Sequence, residues 1–166
     1  MGQFIGGPTS NRTRWMALVH IRDEGGQFDA SIETVWRYLN SGDMHGKVHT
    51  GSRNRQVQAV GDTTMMITAE RDWNGNWVKE VSRVTVMPPL GVSTEILEGP
   101  LAGSRIFTVY SPEGLERTRV DVFGEFRSPQ LPPDQVEVAV RKWLEESYNQ
   151  DAPALKAMQT SPKEAF

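Results

Sequence analysis

The spacing of apolar residues predicts a long helix near the end of the chain. From residue 131 to about 151, apolar side chains recur every three or four residues, so they lie on one face of a helix and charged residues lie on the other. That face needs a partner surface to cover it. Its members are Val136, Ala139, Val140, Trp143, Leu144 and Tyr148.

Prolines mark the limits of this helix. Pro132 and Pro133 are compatible only with its first turn, where the missing backbone donor is not needed. Pro153 would remove a hydrogen bond inside the helix. We therefore expect the helix either to kink there or to stop and restart with Asp151 as N-cap, reaching at most Met158.

The middle of the chain has a different pattern, rich in β-branched and aromatic residues. Short segments containing Gly, Pro, Asn or Asp separate six such stretches, and links this short join neighbouring antiparallel strands. We predict a six-stranded meander. Its strands cover residues 53–60, 63–73, 76–87, 92–97, 105–110 and 116–126.

Before the meander, the pattern predicts one more strand and a short helix. Residues 1–13 have little periodicity and are expected to be a flexible lead-in, whereas the apolar run 14–21 predicts a strand. Gly25 and Gly26 predict a bulge or break after it. Ser31 is the expected N-cap of a helix of about three turns that ends before Gly42. Residues 41–51 fit either one further helical turn or a loop.

These elements predict an α+β fold in which one sheet curls around one helix. A seven-stranded antiparallel sheet with an apolar face and a long amphipathic helix cover each other, and the twist of such a sheet leaves more interior than one helix fills. An internal cavity is therefore expected. We assign residues 14–158 to a single domain and residues 159–166 to a C-terminal tail.

Composition excludes several classes of function. The chain has 166 residues, a net charge of -3, and Lys and Arg residues that are scattered, so we expect no nucleic-acid partner. It has no cysteine, which excludes disulfides and thiolate chemistry. The sequence shows neither a signal peptide nor an apolar run of membrane-spanning length, so we expect a cytoplasmic protein without integral membrane insertion.

A known superfamily shares one stretch of this sequence. Residues 28–39 read Phe-Asp-Ala-Ser-Ile-Glu-Thr-Val-Trp-Arg-Tyr-Leu, which resembles the first turn and helix of START-like proteins, also called the SRPBCC or birch-pollen-allergen superfamily. The order of elements from 14 to 158 is similar to that of the same superfamily. The resemblance implies a helix-grip fold. Its members include lipid and sterol carriers, hormone receptors, polyketide aromatases and cyclases, quinone-binding proteins and chaperone co-factors, so fold does not select function.

The leading hypothesis is binding, and possible transport, of a hydrophobic small molecule or lipid between the sheet and the C-terminal helix. Pockets for such ligands are lined mainly by aromatic and aliphatic side chains. No cofactor is expected, and the oligomeric state is open. The residues that we expect to contact the ligand are Trp36, His49, Met66, Val84, Ile96, Phe107, Phe123, Val140 and Trp143.

Two histidines are spaced as metal ligands would be. His45 and His49 are four residues apart, and His20 or Glu70 would supply a third ligand. Gly46 weakens a helix between them, and the His-Glu-x-x-His pattern is absent. We therefore predict polar loop histidines near the mouth of the cavity and no metal.

Two rival functions remain open. No catalytic set is evident, but an aromatase or cyclase would fold a poly-β-keto chain in the same cavity, with His49, Tyr110 or Asp121 assisting enolisation and dehydration. Asp121 lies in an alternating charged pattern that otherwise predicts a solvent-facing ladder of ion pairs. The other rival is an interaction co-factor that docks on a larger partner. Two or more titratable groups in the cavity wall would favour the enzyme.

Overall fold

The chain folds as one antiparallel sheet that is crossed by one long helix. The computed structural model describes residues 18–161, and the sheet order is β1-β7-β6-β5-β4-β3-β2. This confirms the predicted α+β helix-grip fold. The elements are β1 (Val19–Phe28), α1 (Ile32–Asn40), α2 (Gly42–Val48), β2 (Ser52–Ala59), β3 (Thr64–Trp73), β4 (Asn76–Met87), β5 (Gly91–Glu98), β6 (Arg105–Pro112), β7 (Thr118–Phe126) and α3 (Pro133–Thr160).

The six strands of the meander agree with their predicted limits to within about two residues, because turn chemistry is local. The first strand differs more. Residues 1–17, which include the predicted lead-in and the start of the predicted strand, lie outside the described residues. β1 continues to Phe28, and its pairing with β7 shifts between Asp23 and Gly26, where a bulge or break was predicted. A Cβ on Gly26 would lie 2.6 Å from Val120 Cγ1, so the glycine permits close approach of the two strands.

Two helices follow β1. Ser31 Oγ accepts a hydrogen bond from the Thr34 backbone N–H at 3.2 Å, which confirms the predicted N-cap of α1. The segment after it, for which helix and loop were both open, forms α2 over Gly42–Val48. His49 is its C-cap residue, so His45 and His49 lie at the end of one short helix.

The last helix continues through Pro153, which was expected to kink or end it. It has 28 residues, a length of roughly 42 Å. Asp151 is therefore an interior helix residue and not an N-cap. Tertiary packing explains the continuation, because Leu155 is only 1% exposed and packs in a core cluster with Tyr38 and Val35. The predicted tail also begins inside α3, where Gln159 Oε1 accepts a hydrogen bond from the Thr34 hydroxyl at 2.6 Å.

The core consists of two clusters at opposite ends of α3. The first gathers around Phe126, Val136 and Val140, which packs the start of the helix against the ends of β1 and β7. The second gathers around Leu155 and includes α1. Since the helix is held at both ends, its middle turns span the curved sheet without filling the space beneath it. Within residues 18–161, no helix combines the length and the apolar character needed to cross a membrane.

We expect Leu155→Ala to lower the free energy of unfolding by about 2–5 kcal/mol, because it leaves a void in the second core cluster. The matched control is Leu115→Ala, at a leucine that is 90% exposed, where the change should stay within about 0.5 kcal/mol. Urea unfolding of both variants measures the difference. Equal stabilities would contradict a helix that remains packed beyond Pro153.

Candidate functional site

A cavity of about 670 Å³ lies between the concave face of the sheet and the middle of α3. Its sheet wall follows from strand alternation, since every second residue points to the same face. On β3 these residues are Met65, Ile67 and Ala69, and on β4 Val84 and Val86 continue the apolar surface. The remaining apolar wall includes Phe28, Leu39, Val92, Ile106, Val120, Val122, Trp143 and Leu144.

One polar group in the wall is an ion pair between β3 and β4. Arg71 donates to Glu80 Oε1 through Nε at 2.9 Å and through a terminal guanidinium nitrogen at 2.8 Å. The Glu80 side chain is 7% exposed, whereas that of Arg71 is 25% exposed. The guanidinium carbon lies 5.5 Å from the ring centroid of Trp143 on α3. The pair thus places a charged, hydrogen-bonding group beside the apolar side chains of the sheet wall.

A second polar group lies where α2 meets α3. His49 Nε2 is 3.1 Å from His45 Nε2 and 3.3 Å from Asp151 Oδ1, and all three residues line the cavity. The Tyr38 hydroxyl donates to Asp151 Oδ1 at 2.7 Å. Three helices therefore meet in one hydrogen-bonded cluster, with Tyr38 supplied by α1.

Burial fixes the protonation of several of these side chains. It lowers the pKa of His45 to about 4, against an opposing effect of Asp151, so this imidazole is neutral near pH 7. Burial, and then the hydrogen bond to Asp151, raise the pKa of the Tyr38 hydroxyl, which therefore remains a donor. Burial also raises the pKa of Tyr110, another hydroxyl in the cavity wall.

The structure brings three of the nine predicted ligand contacts to the cavity wall: His49, Val84 and Trp143. Ile96 and Val140 lie in the first core cluster and are at most 3% exposed. The other four are Trp36, Met66, Phe107 and Phe123, and none of them is in the wall.

These four side chains lie behind or outside the cavity. Phe107 and Phe123 stack on each other with ring centroids 5.6 Å apart and are 39% and 42% exposed, which places them on the outer face of the sheet. Met66 alternates with the inward Met65 and also faces outward. Trp36 packs edge to face on Tyr110, with ring centroids 5.9 Å apart, and so lies one layer behind the wall.

The other residues considered as metal ligands or catalytic groups lie elsewhere in the structure. His20 lies on the outer face, 3.9 Å from Glu125, and Glu70 accepts hydrogen bonds from Arg53 and Asn54, so neither is near His45 and His49. Asp121 accepts from Arg119 at 2.8 Å. That contact agrees with the alternating ion-pair pattern predicted for the last strand.

Sequence reasoning missed Asp151, Tyr38, Arg71 and Glu80 as members of the site. A signal for Asp151 was available, since it is three residues after Tyr148 and seven after Leu144 and so shares their helix face. Because Asp151 was interpreted as an N-cap, this shared helix face was not recognised. Arg71 lies on the same face of β3 as Met65, and a stricter count along the strand would have shown that the two share a face.

Comparison with known proteins shows the fold. No protein-family profile matches the sequence, and no curated protein matches it. Among solved structures, the ZhuI aromatase/cyclase from Streptomyces sp. R1128 superposes with a TM-score of 0.71 at 14% identity, covering 90% of this chain and 100% of that one. The chain has the START-like helix-grip fold.

Two further structures with this helix-grip fold support the same conclusion. Ara h 8.0201 gives a TM-score of 0.68 at 9% identity, covering 85% of this chain and 99% of that one. A START superfamily protein from Mycobacterium smegmatis gives 0.68 at 13% identity, covering 85% of this chain and 98% of that one. Identities this low establish the architecture, and function must be argued from the site.

The buried ion pair gives a prediction about stability. Glu80→Gln keeps the side-chain shape but leaves Arg71 without its counter-charge, so we expect a loss of about 2 kcal/mol in the free energy of unfolding. Glu98→Gln is the matched control, because Glu98 pairs with Lys79 in solvent, where such a pair contributes roughly 0–1 kcal/mol. Urea unfolding of both variants checks this. Equal losses of unfolding free energy in the two variants would show that the Arg71–Glu80 pair is exposed to solvent.

Proposed function

We propose that this protein binds a hydrophobic small molecule or lipid in the cavity between the sheet and α3, in the cytoplasm. The observation that carries the proposal is the cavity itself. Its volume of about 670 Å³ lies within the range of roughly 300–1,000 Å³ that is usual for small-molecule sites. The aliphatic and aromatic side chains on its sheet wall are typical of such sites.

The wall also indicates which ligand chemistry we expect. Burying about 200 Å² of apolar ligand surface would favour binding by roughly 5 kcal/mol before the entropy of association is counted. The Arg71–Glu80 pair and the His49–Asp151 cluster offer hydrogen bonds at two separate places in the wall. The expected ligand is therefore an apolar body that carries an oxygen-bearing polar group. Trp143 adds a ring face against which a flat ligand would pack.

Two adjacent methionines provide a matched test of the binding site. Met65→Trp places an indole in the cavity, so we expect at least a tenfold loss of affinity for the neutral probe N-phenyl-1-naphthylamine, measured by fluorescence titration. Met66→Trp makes the same substitution on the outer face and should change the affinity less than twofold.

The proposal would be contradicted if the wild-type protein bound no apolar probe. It would also be contradicted if Met65→Trp and Met66→Trp changed the probe affinity equally. Native mass spectrometry of the purified protein, followed by organic extraction, then identifies any ligand that it retains.

Polyketide cyclisation is the second candidate, and the titratable groups in the wall favour it. His49 and Tyr110 both line the cavity, whereas Asp121 is paired with Arg119. In such a reaction a base removes the proton between two carbonyls, and the enolate carbon attacks a ketone carbon. The alkoxide is then protonated, and water leaves. In this candidate, His49 would take the proton and the Tyr110 hydroxyl would donate to the developing alkoxide.

Incubation with a linear poly-β-ketone tests this candidate. If it is correct, mass spectrometry detects a cyclised product that has lost water, and His49→Gln and Tyr110→Phe each lower the rate roughly 100-fold. His20→Gln, which alters a histidine outside the cavity, should leave the rate unchanged. Product formation no faster than without protein would exclude cyclisation and leave the binding proposal intact.

A further inference from the structure

The cluster of His45, His49 and Asp151 has the composition of a metal site. Two imidazoles and one carboxylate, contributed by the end of α2 and by α3, bring one ligand atom each to within 4.8 Å of the others in the cavity wall. Sequence reasoning expected no metal, because it sought the third ligand in His20 or Glu70. In the structure the third ligand is Asp151 instead. It follows the two histidines by about one hundred positions in the sequence.

Two of the three separations match those of atoms that share one ion, and the third is longer. His45 Nε2 and His49 Nε2 are 3.1 Å apart, and Asp151 Oδ1 is 3.3 Å from His49 Nε2 and 3.9 Å from His45 Nε2. A triangle with these sides has a point about 2.0 Å from all three corners, which is the usual length of a zinc–nitrogen or zinc–oxygen bond. Only the 3.9 Å side exceeds the roughly 3.4 Å expected for tetrahedral ligands, and a small rotation of His45 would shorten it.

The surrounding hydrogen bonds orient these atoms as ligands. His49 Nδ1 lies 3.2 Å from Gln150 Oε1, and the Gln150 amide nitrogen donates to Thr50 Oγ1 at 3.1 Å, which turns the amide oxygen toward the ring. His49 therefore donates from Nδ1 and presents a lone pair at Nε2. The Tyr38 hydroxyl holds the carboxylate of Asp151. Metal-binding histidines and carboxylates are typically fixed by outer hydrogen bonds of this kind.

The same arrangement leaves two acceptors facing each other. The lone pair of His49 Nε2 is 3.3 Å from the carboxylate oxygen of Asp151, and neither atom carries a hydrogen when His49 is neutral. A cation between them removes this repulsion. A metal ion at this point would also take the lone pair of His45 Nε2, which lies 3.1 Å from His49 Nε2.

We propose that His45, His49 and Asp151 bind a divalent first-row transition-metal ion in the cavity wall. Two nitrogens and one oxygen suit Zn²⁺ or Fe²⁺ and do not suit Mg²⁺ or Ca²⁺, which prefer oxygen ligands. Three protein ligands leave open coordination positions. Because all three residues line the cavity, these positions face the space beneath α3, where the oxygen of a bound molecule can reach the ion. This last step rests on the proposed ligand binding, whereas the metal site does not.

Direct titration tests the site without any organic ligand. The full chain is freed of metal with a chelator, and calorimetry with Zn²⁺ and anaerobic Fe²⁺, together with visible absorption of Co²⁺, measures binding. We expect one equivalent per chain. Asp151→Asn and His49→Gln should weaken binding about 100-fold or more, and Gln150→Ala should weaken it roughly 10-fold by releasing His49. His20→Gln is the matched control and should bind as wild type does.

Nuclear magnetic resonance gives a readout that needs no variant. In wild type, Zn²⁺ should shift the imidazole ¹⁵N signals of His45 and His49 and leave those of His20 unchanged, so the test holds even if a ligand variant unfolds. Absence of stoichiometric binding would overturn the proposal. Unchanged affinity in both ligand variants, or equal shifts at all three histidines, would equally overturn it. None of these three outcomes would change the apolar-probe result.

Discussion

The attachment of α3 at both of its ends is the constraint on which the rest of this structure depends. Val136 and Val140 are buried against β1 and β7 at one end, and Leu155 is buried against α1 at the other. Between two such anchors, a strongly twisted sheet curves away from the helix. The cavity is the space that remains, so its existence follows from where the apolar residues are concentrated along the helix.

The same constraint positions the chemistry of the site. Residues 143–151 of α3 lie between Val140 and Leu155, and they present Trp143 to the Arg71–Glu80 pair and Asp151 to His45 and His49. Continuation of the helix through Pro153 is essential to this arrangement. A helix that ended there would lose the anchor at Leu155, and Asp151 would lie at a frayed terminus rather than beside Tyr38.

The polar clusters distinguish this cavity from a simple apolar pocket. A buried charge is stable only when it is paired, and a buried imidazole remains neutral unless a partner stabilises its charged form. Arg71 and Glu80 satisfy each other, and Tyr38 and Gln150 hold Asp151 and His49 in place. Both clusters are therefore preorganised by the protein and available to a molecule in the cavity. Binding, cyclisation and metal coordination would each use that preorganisation differently.

The sequence by itself determined the element order, the meander, the Ser31 cap and the apolar face of the last helix, because period, turn residues and capping act over a few neighbouring positions. It also supported the curled sheet and the expectation of a cavity. Tertiary structure alone decided which strand faces point inward, so that Met65 rather than Met66 lines the wall. It alone brought Asp151 to two histidines about one hundred residues earlier. It also carried α3 past Pro153, since packing of Leu155 outweighs the local cost of a proline. Such pairings depend on distances between elements, and no local pattern encodes those.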